Sequence, residues 1–169
     1  MHAWSWGAND MNSTYGQNRD ERLKAASGQG DLEVNEAVTD LTGVKVVVVD
    51  DSKTIRRSAE SLLGRAGATV LTAEDGFEAL SLIVDSQPDV VFVDVMMPRL
   101  DGYQTCSMVK SNPAFRDIPV IMLSSKDGLF DMAKGRVVGS EEYVTKPFTK
   151  DQLIGAVQRH VSAKRREVS

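Results

Sequence analysis

The sequence of 169 residues predicts an α/β fold, a five-stranded parallel sheet with helices on both faces, and three observations carry that prediction. Short apolar runs alternate with stretches of helical periodicity five times along the chain. The runs at 46–49 and 90–93 are unbroken and rich in valine, as in strands buried on both faces. Four of the five runs end on a residue with chemistry of its own: Asp50, Asp94, Ser124 and Lys146. In a parallel sheet all of these fall on the carboxyl edge, where open α/β folds hold ligands.

Taken in order, the first 43 residues are rich in Gly, Asn, Ser and charge, carry both tryptophans (Trp4 and Trp6), and show no sustained periodicity; they read as a disordered extension. Within them Leu32, Val34, Ala37, Val38 and Leu41 make at most one short amphipathic turn. Four valines at 46–49 form the first strand, and Ser52, just past Asp50-Asp51, caps a helix. Ile55, Ala59, Leu62, Leu63 and Ala66 are its buried face, and Gly67 stops it. Residues 69–73 are the second strand. Asp75-Gly76 opens a helix through Phe77, Ala79, Leu80, Leu82 and Ile83, closed off by Pro88. The third strand, 90–93, delivers Asp94, and a helix over 103–111 breaks at Asn112-Pro113. The fourth strand, 119–123, ends at Ser124-Ser125. A helix over 130–138 stops at Gly139, the fifth strand covers 142–145, and Thr149 caps a last helix to residue 161. Residues 44–162 thus read as one domain, with 163–169 as a short basic tail.

With 41% hydrophobic and 26% charged residues the chain reads as an ordinary soluble protein with one core. No apolar run approaches the roughly 18 residues that span a bilayer, and the amino terminus has no signal-peptide pattern, so a cytoplasmic location without membrane association is expected. The single cysteine, Cys106, excludes an internal disulfide and reads as a small helix residue; with only His2 and His160 beside it there is no Cys/His metal cluster. Residues 1–43 carry seven acids and three bases, and the rest of the chain seventeen of each, which leaves no electrostatic footprint for nucleic acid. Met96, Met97, Met108 and Met122 read as packing residues.

The chemistry follows from the convergence. Three carboxylates, Asp50, Asp51 and Asp94, gathered at one edge repel one another, so at least one holds its proton more tightly than usual unless a cation is bound. An all-oxygen donor set without Cys or His selects a hard cation, and Mg²⁺ suits a shallow site. Lys146 can neutralise a transferred phosphoryl group and Ser124 can donate to one of its oxygens, so the natural product is an aspartyl phosphate.

Asp50-Asp51, Asp94 followed by Met-Met-Pro and Leu-Asp-Gly, Ser124, and Lys146-Pro147-Phe148 together resemble the receiver domain of bacterial response regulators, the CheY-like family, over residues 44–161. CheY itself illustrates this fold among doubly wound sheets. The stretches VVVVDDSKTIRRSAE and VMMPRLDGYQTC resemble, within that family, regulators of type IV pilus twitching motility. The resemblance implies strand order 2-1-3-4-5, Asp94 as phosphoacceptor, and Mg²⁺ held by Asp51, Asp94 and the Met96 carbonyl, with Asp50 helping through water. It further implies Lys146 on the phosphoryl oxygens with a cis bond to Pro147, and Ser124 with Tyr143 as a coupled switch. A histidine kinase would donate the phosphate, and a protein target would bind the face of the fourth helix, fifth strand and fifth helix, so that the chain signals rather than acting as an enzyme. Val95 stands where some relatives carry tryptophan, and Met96 and Lys126 occupy positions that tune phosphoryl lifetime. Rival readings fit less well: a haloacid-dehalogenase-type hydrolase needs a second acid where Ser52 stands, and a flavodoxin needs a phosphate cradle where the first loop is acidic. A phosphorylation-independent binding scaffold on the same fold is the remaining alternative.

Overall fold

The structure, a computed structural model, describes residues 40–125 and 129–168, with backbone alone for 129–131 and 162–168. The reading of the first 43 residues as an extension, including Trp4 and Trp6, therefore lies outside the described residues up to residue 39, as does Lys126. Five strands alternate with five helices: β1 (Lys45–Val49), α1 (Lys53–Arg65), β2 (Thr69–Ala73), α2 (Gly76–Ser86), β3 (Val90–Asp94), α3 (Gly102–Ser111), β4 (Val120–Ser124), α4 (Leu129–Val137), β5 (Glu142–Thr145) and α5 (Lys150–Val168). All pairings are parallel and the sheet order is β2-β1-β3-β4-β5, as expected from the sequence.

The apolar runs form strands because both faces are covered. Alternate residues of each strand feed two separate cores. Val46, Val48, Val90, Phe92, Ile121, Leu123 and Val144 pack with Ala59 and Leu63 of α1 and Leu153, Ala156 and Val157 of α5. Val47, Val49, Val91, Val93, Val120 and Met122 pack with Ala79 and Ile83 of α2 and Cys106 and Val109 of α3. Fully burying side chains of this size contributes about 1.5–3 kcal/mol each, so the central strands are the least movable part of the molecule.

Helix ends follow local chemistry. The Ser52 hydroxyl accepts from the Ile55 N–H at 3.3 Å and the Asp75 carboxylate from the Glu78 N–H at 2.9 Å. Thr149 and Gln152 cap each other's backbone N–H at the start of α5. Asp101 and Gln104 form the same reciprocal box, which starts α3 at Gly102 rather than at Tyr103.

Three readings of the sequence change. Leu41, placed above in a weak amphipathic turn, is buried against the α1 core, and its N–H donates to the Ala66 carbonyl at 2.7 Å. Helix α5 runs to Val168, because Ala163 through Glu167 are good helix formers with no breaker among them. Among the methionines, Met97 and Met122 pack as expected, but Met96 is 69% exposed and Met108 47%. Met96 lies in the loop past the end of β3, and Met108 lies on the face of α3 opposite Tyr103, Cys106 and Val109.

Candidate functional site

Strand register gathers the site. Val49 pairs with Val93, so the next residues, Asp50 and Asp94, stand side by side. Asp94 pairs with Leu123, which brings Ser124 one step further along the same edge. Ser124 pairs with Thr145, and the Lys146 N–H donates to the Ser124 carbonyl at 2.6 Å. Residues 96 positions apart are thereby adjacent: the Lys146 ammonium reaches Asp50 Oδ2 at 3.0 Å and Asp94 Oδ1 at 3.1 Å. The Lys146–Pro147 bond is cis.

The acids differ in surroundings. Asp50 is fully buried, and its Oδ1 accepts from the Ser52 N–H at 2.8 Å. Asp94 and Ser124 are buried, whereas Asp51 stands exposed at the rim. Oxygens of Asp50, Asp51 and Asp94 lie within 4.8 Å of one another. One ammonium is shared by two buried carboxyl groups here, with a third carboxyl at the rim. Burial, and then the charge of Asp50, push the Asp94 carboxyl up to about 6 against the pull of Lys146 and of the Met96 N–H. Burial acts to lower the Lys146 ammonium, but its bonds to Asp50 and Asp94 and their charges outweigh this and hold it above its ordinary value. An incoming cation or the phosphorus of a phosphoryl group meets electron-rich oxygens that are short of positive charge. At neutral pH Asp94 is largely ionised and therefore nucleophilic.

Access runs along the loop after β3. A hollow of about 550 Å³ is lined by Asp51, Val95, Met96, Met97, Pro98, Asp101, Tyr103 and Lys134, so Asp51 and the backbone following Asp94 face solvent through it. Arg99, at φ 67° in the left-handed region, pins this loop to the one after β2 by an ion pair with Asp75 at 2.5 Å. Gly102 closes the loop onto the strand: a Cβ there would stand 2.2 Å from the Asp94 carbonyl oxygen, so no larger residue lets α3 start this close to the acid. The sequence carried a signal for that position, since Asp-Gly with Gln104 two residues on is a helix-start pattern.

Tyr143 is half-buried on β5 and packs on the α3 side of the sheet, two positions from Thr145. Lys134 and Arg136 of α4 are exposed, with the Lys134 ammonium 4.6 Å from the centre of the Tyr103 ring. Asp50, Asp51, Asp94, Met96, Ser124 and Lys146 thus stand at the carboxyl edge, and Tyr143, Lys134 and Arg136 lie on β5 and α4.

Residues 46–158 match the response regulator receiver domain family. The chain belongs to that family. It is 65% identical over 119 residues to protein PilG of Pseudomonas aeruginosa, covering 70% of this chain and 88% of that one. It is 42% identical over 112 residues to a probable transcriptional regulator, ycf27, of Guillardia theta, of whose length it spans only 43%. Among solved structures, the chemotaxis protein CheY4 of Vibrio cholerae superposes with a TM-score of 0.67 at 33% identity, over 69% of this chain and 98% of that one. A response regulator from Chloroflexus aurantiacus gives 0.68 at 31% identity, over 70% and 98%. This chain is therefore a PilG-like receiver-domain response regulator with an acidic pocket, and a receiver is a signalling phosphoacceptor rather than a turnover enzyme. Among the described residues no helix is long and apolar enough to cross a membrane.

Proposed function

We propose that this receiver takes a phosphoryl group from a histidine kinase onto Asp94 and signals through protein binding. The support is the single cluster in which Asp94, raised to about 6 and 3.1 Å from Lys146, sits beside two further acids. An Asp94 carboxylate oxygen attacks phosphorus in line, the phosphorus–nitrogen bond of the phosphohistidine breaks, and the imidazole leaves with that bond's electron pair and takes up a proton. Lys146 meets the charge on the phosphoryl oxygens and Ser124 donates to one of them.

The donor set, oxygen-only and net negative, fits Mg²⁺. Asp51, Asp94 and the Met96 carbonyl would hold it, with Asp50 acting through water, and when bound it supplies charge neutralisation to the phosphoryl oxygens. Ser124 and Tyr143 act as the switch, altering the face of α4, β5 and α5 on which Tyr143, Lys134 and Arg136 lie. A protein target binds that face. The likeness to PilG supports a place in type IV pilus twitching motility, in the cytoplasm.

Incubation with Mg²⁺ and a small phosphodonor, followed by intact mass, tests the reading. One added phosphoryl group is expected on the parent chain and none on Asp94→Ala. No addition to the parent returns the molecule to a scaffold that binds without phosphorylation, and equal labelling of both removes Asp94 as the acceptor.

A further inference from the structure

Arg56 looks, in sequence, like one more charge on the solvated face of a helix, next to Lys53 and Arg57. Its side chain is only 13% exposed. From the first turn of α1 it folds back over the β1–α1 loop, where its NH1 donates to the main-chain oxygen of Asp50 at 2.7 Å and its NH2 stands 3.5 Å from Glu74 of the β2–α2 loop. The carbonyl it grips belongs to the peptide that joins Asp50 to Asp51.

We infer that Arg56 is a positioning residue for the acidic pocket, one that fixes the Asp50–Asp51 peptide plane and so sets where the exposed Asp51 carboxylate stands relative to Asp94. This rests on the metal reading above and deepens it. Asp50 itself is held at each of its three oxygens: Oδ1 by the Ser52 N–H, Oδ2 by Lys146, and the carbonyl by Arg56. Asp51 stands exposed at the rim, and its direction follows from the peptide plane before it. Rotation of that plane would carry Asp51 away from the 4.8 Å grouping. The planar fork of Arg56 reaches two loops at once, whereas a lysine offers one point of charge.

The test compares the full chain with Arg56→Lys and Arg56→Ala. Mg²⁺ is titrated into isotope-labelled protein and followed by amide shifts, and phosphorylation by a small donor is timed against Mg²⁺ concentration. The Mg²⁺ dissociation constant is expected to rise about tenfold in Arg56→Ala and about threefold in Arg56→Lys, from the loss of a charge-assisted hydrogen bond. The half-saturating Mg²⁺ for phosphorylation moves with it, while the rate at saturating Mg²⁺ changes by less than about threefold. A merely structural role lowers the thermal midpoint and leaves Mg²⁺ affinity alone; that result overturns the inference. So does parent-like affinity in Arg56→Lys, and this variant decides alone if Arg56→Ala does not fold. A parent chain that binds no Mg²⁺ overturns the metal reading itself, which sets the two failures apart.

Discussion

The two edges of one sheet carry charge clusters of similar make-up and opposite temper. At the amino edge the Lys110 ammonium spends its donors on the carbonyls of Arg116 and Ile118 and on Glu141 Oε2, while Glu141 Oε1 accepts from the Val120 N–H at 2.8 Å. Nearby, Glu142 is met by Arg159 and His160. Burial would raise its carboxyl, but the bonds from His160 and Arg159 hold it below its ordinary value. At the carboxyl edge one lysine serves two buried acids, a third stands at the rim, and Asp94 is driven up. The first arrangement is saturated and holds loops to strands. The second is short of positive charge, and that deficit is what a cation and a phosphoryl group can relieve.

Removing the ammonium that Asp50 and Asp94 share should break the carboxyl edge most severely. Lys146→Met leaves Asp50 and Asp94 buried together without their shared ammonium, at a cost of roughly 3 kcal/mol near neutral pH, with phosphorylation by a small donor lost as well. Urea unfolding and intact mass check both halves; unchanged stability would mean that the ammonium offsets nothing. Asp94→Asn acts the other way, since it leaves one lysine to one acid. Folded Asp94 binds its proton up to about 6 against 3.8 for the ordinary group, so its ionisation destabilises the fold as pH rises through that window, fully above it. The substitution should therefore stabilise by about 2 kcal/mol near pH 8, with the gain vanishing below about pH 4. A gain independent of pH would point to packing instead of charge.

How far the sequence already disclosed this edge depends on what kind of rule placed each residue. Asp50, Asp94, Ser124 and Lys146 were legible because parallel topology sends every strand's carboxyl end to the same side, whatever the side-chain details. Arg56 was not, and at Gly102 the helix start was legible but the need for glycine was not. The first depends on a long side chain folding back onto a carbonyl, and the second on the close approach of α3 to the end of β3. Met96 misled because methionine's usual place is the core, and composition does not tell that the chain has already left the sheet there. Leu41 was hidden by the polar, aperiodic stretch that precedes it.

The smallest predicted effect sharpens the contrast best, because it separates holding a fold from performing chemistry. Glu142 has a folded carboxyl below its ordinary value of 4.5, so its contribution is present in full above that value and is lost as pH falls through the folded one. Arg159 is more than half exposed, which screens its share. Glu142→Gln should then cost about 1 kcal/mol near neutral pH, and parent and variant should converge at acid pH, once the folded carboxyl is protonated. Denaturant unfolding at both pH values measures this. Labelling of Asp94 should stay within about twofold of the parent, because the two clusters stand at opposite ends of the strands. A larger loss of labelling would show that the two edges are coupled through β5 and α5, and that the saturated cluster belongs to the signalling apparatus after all.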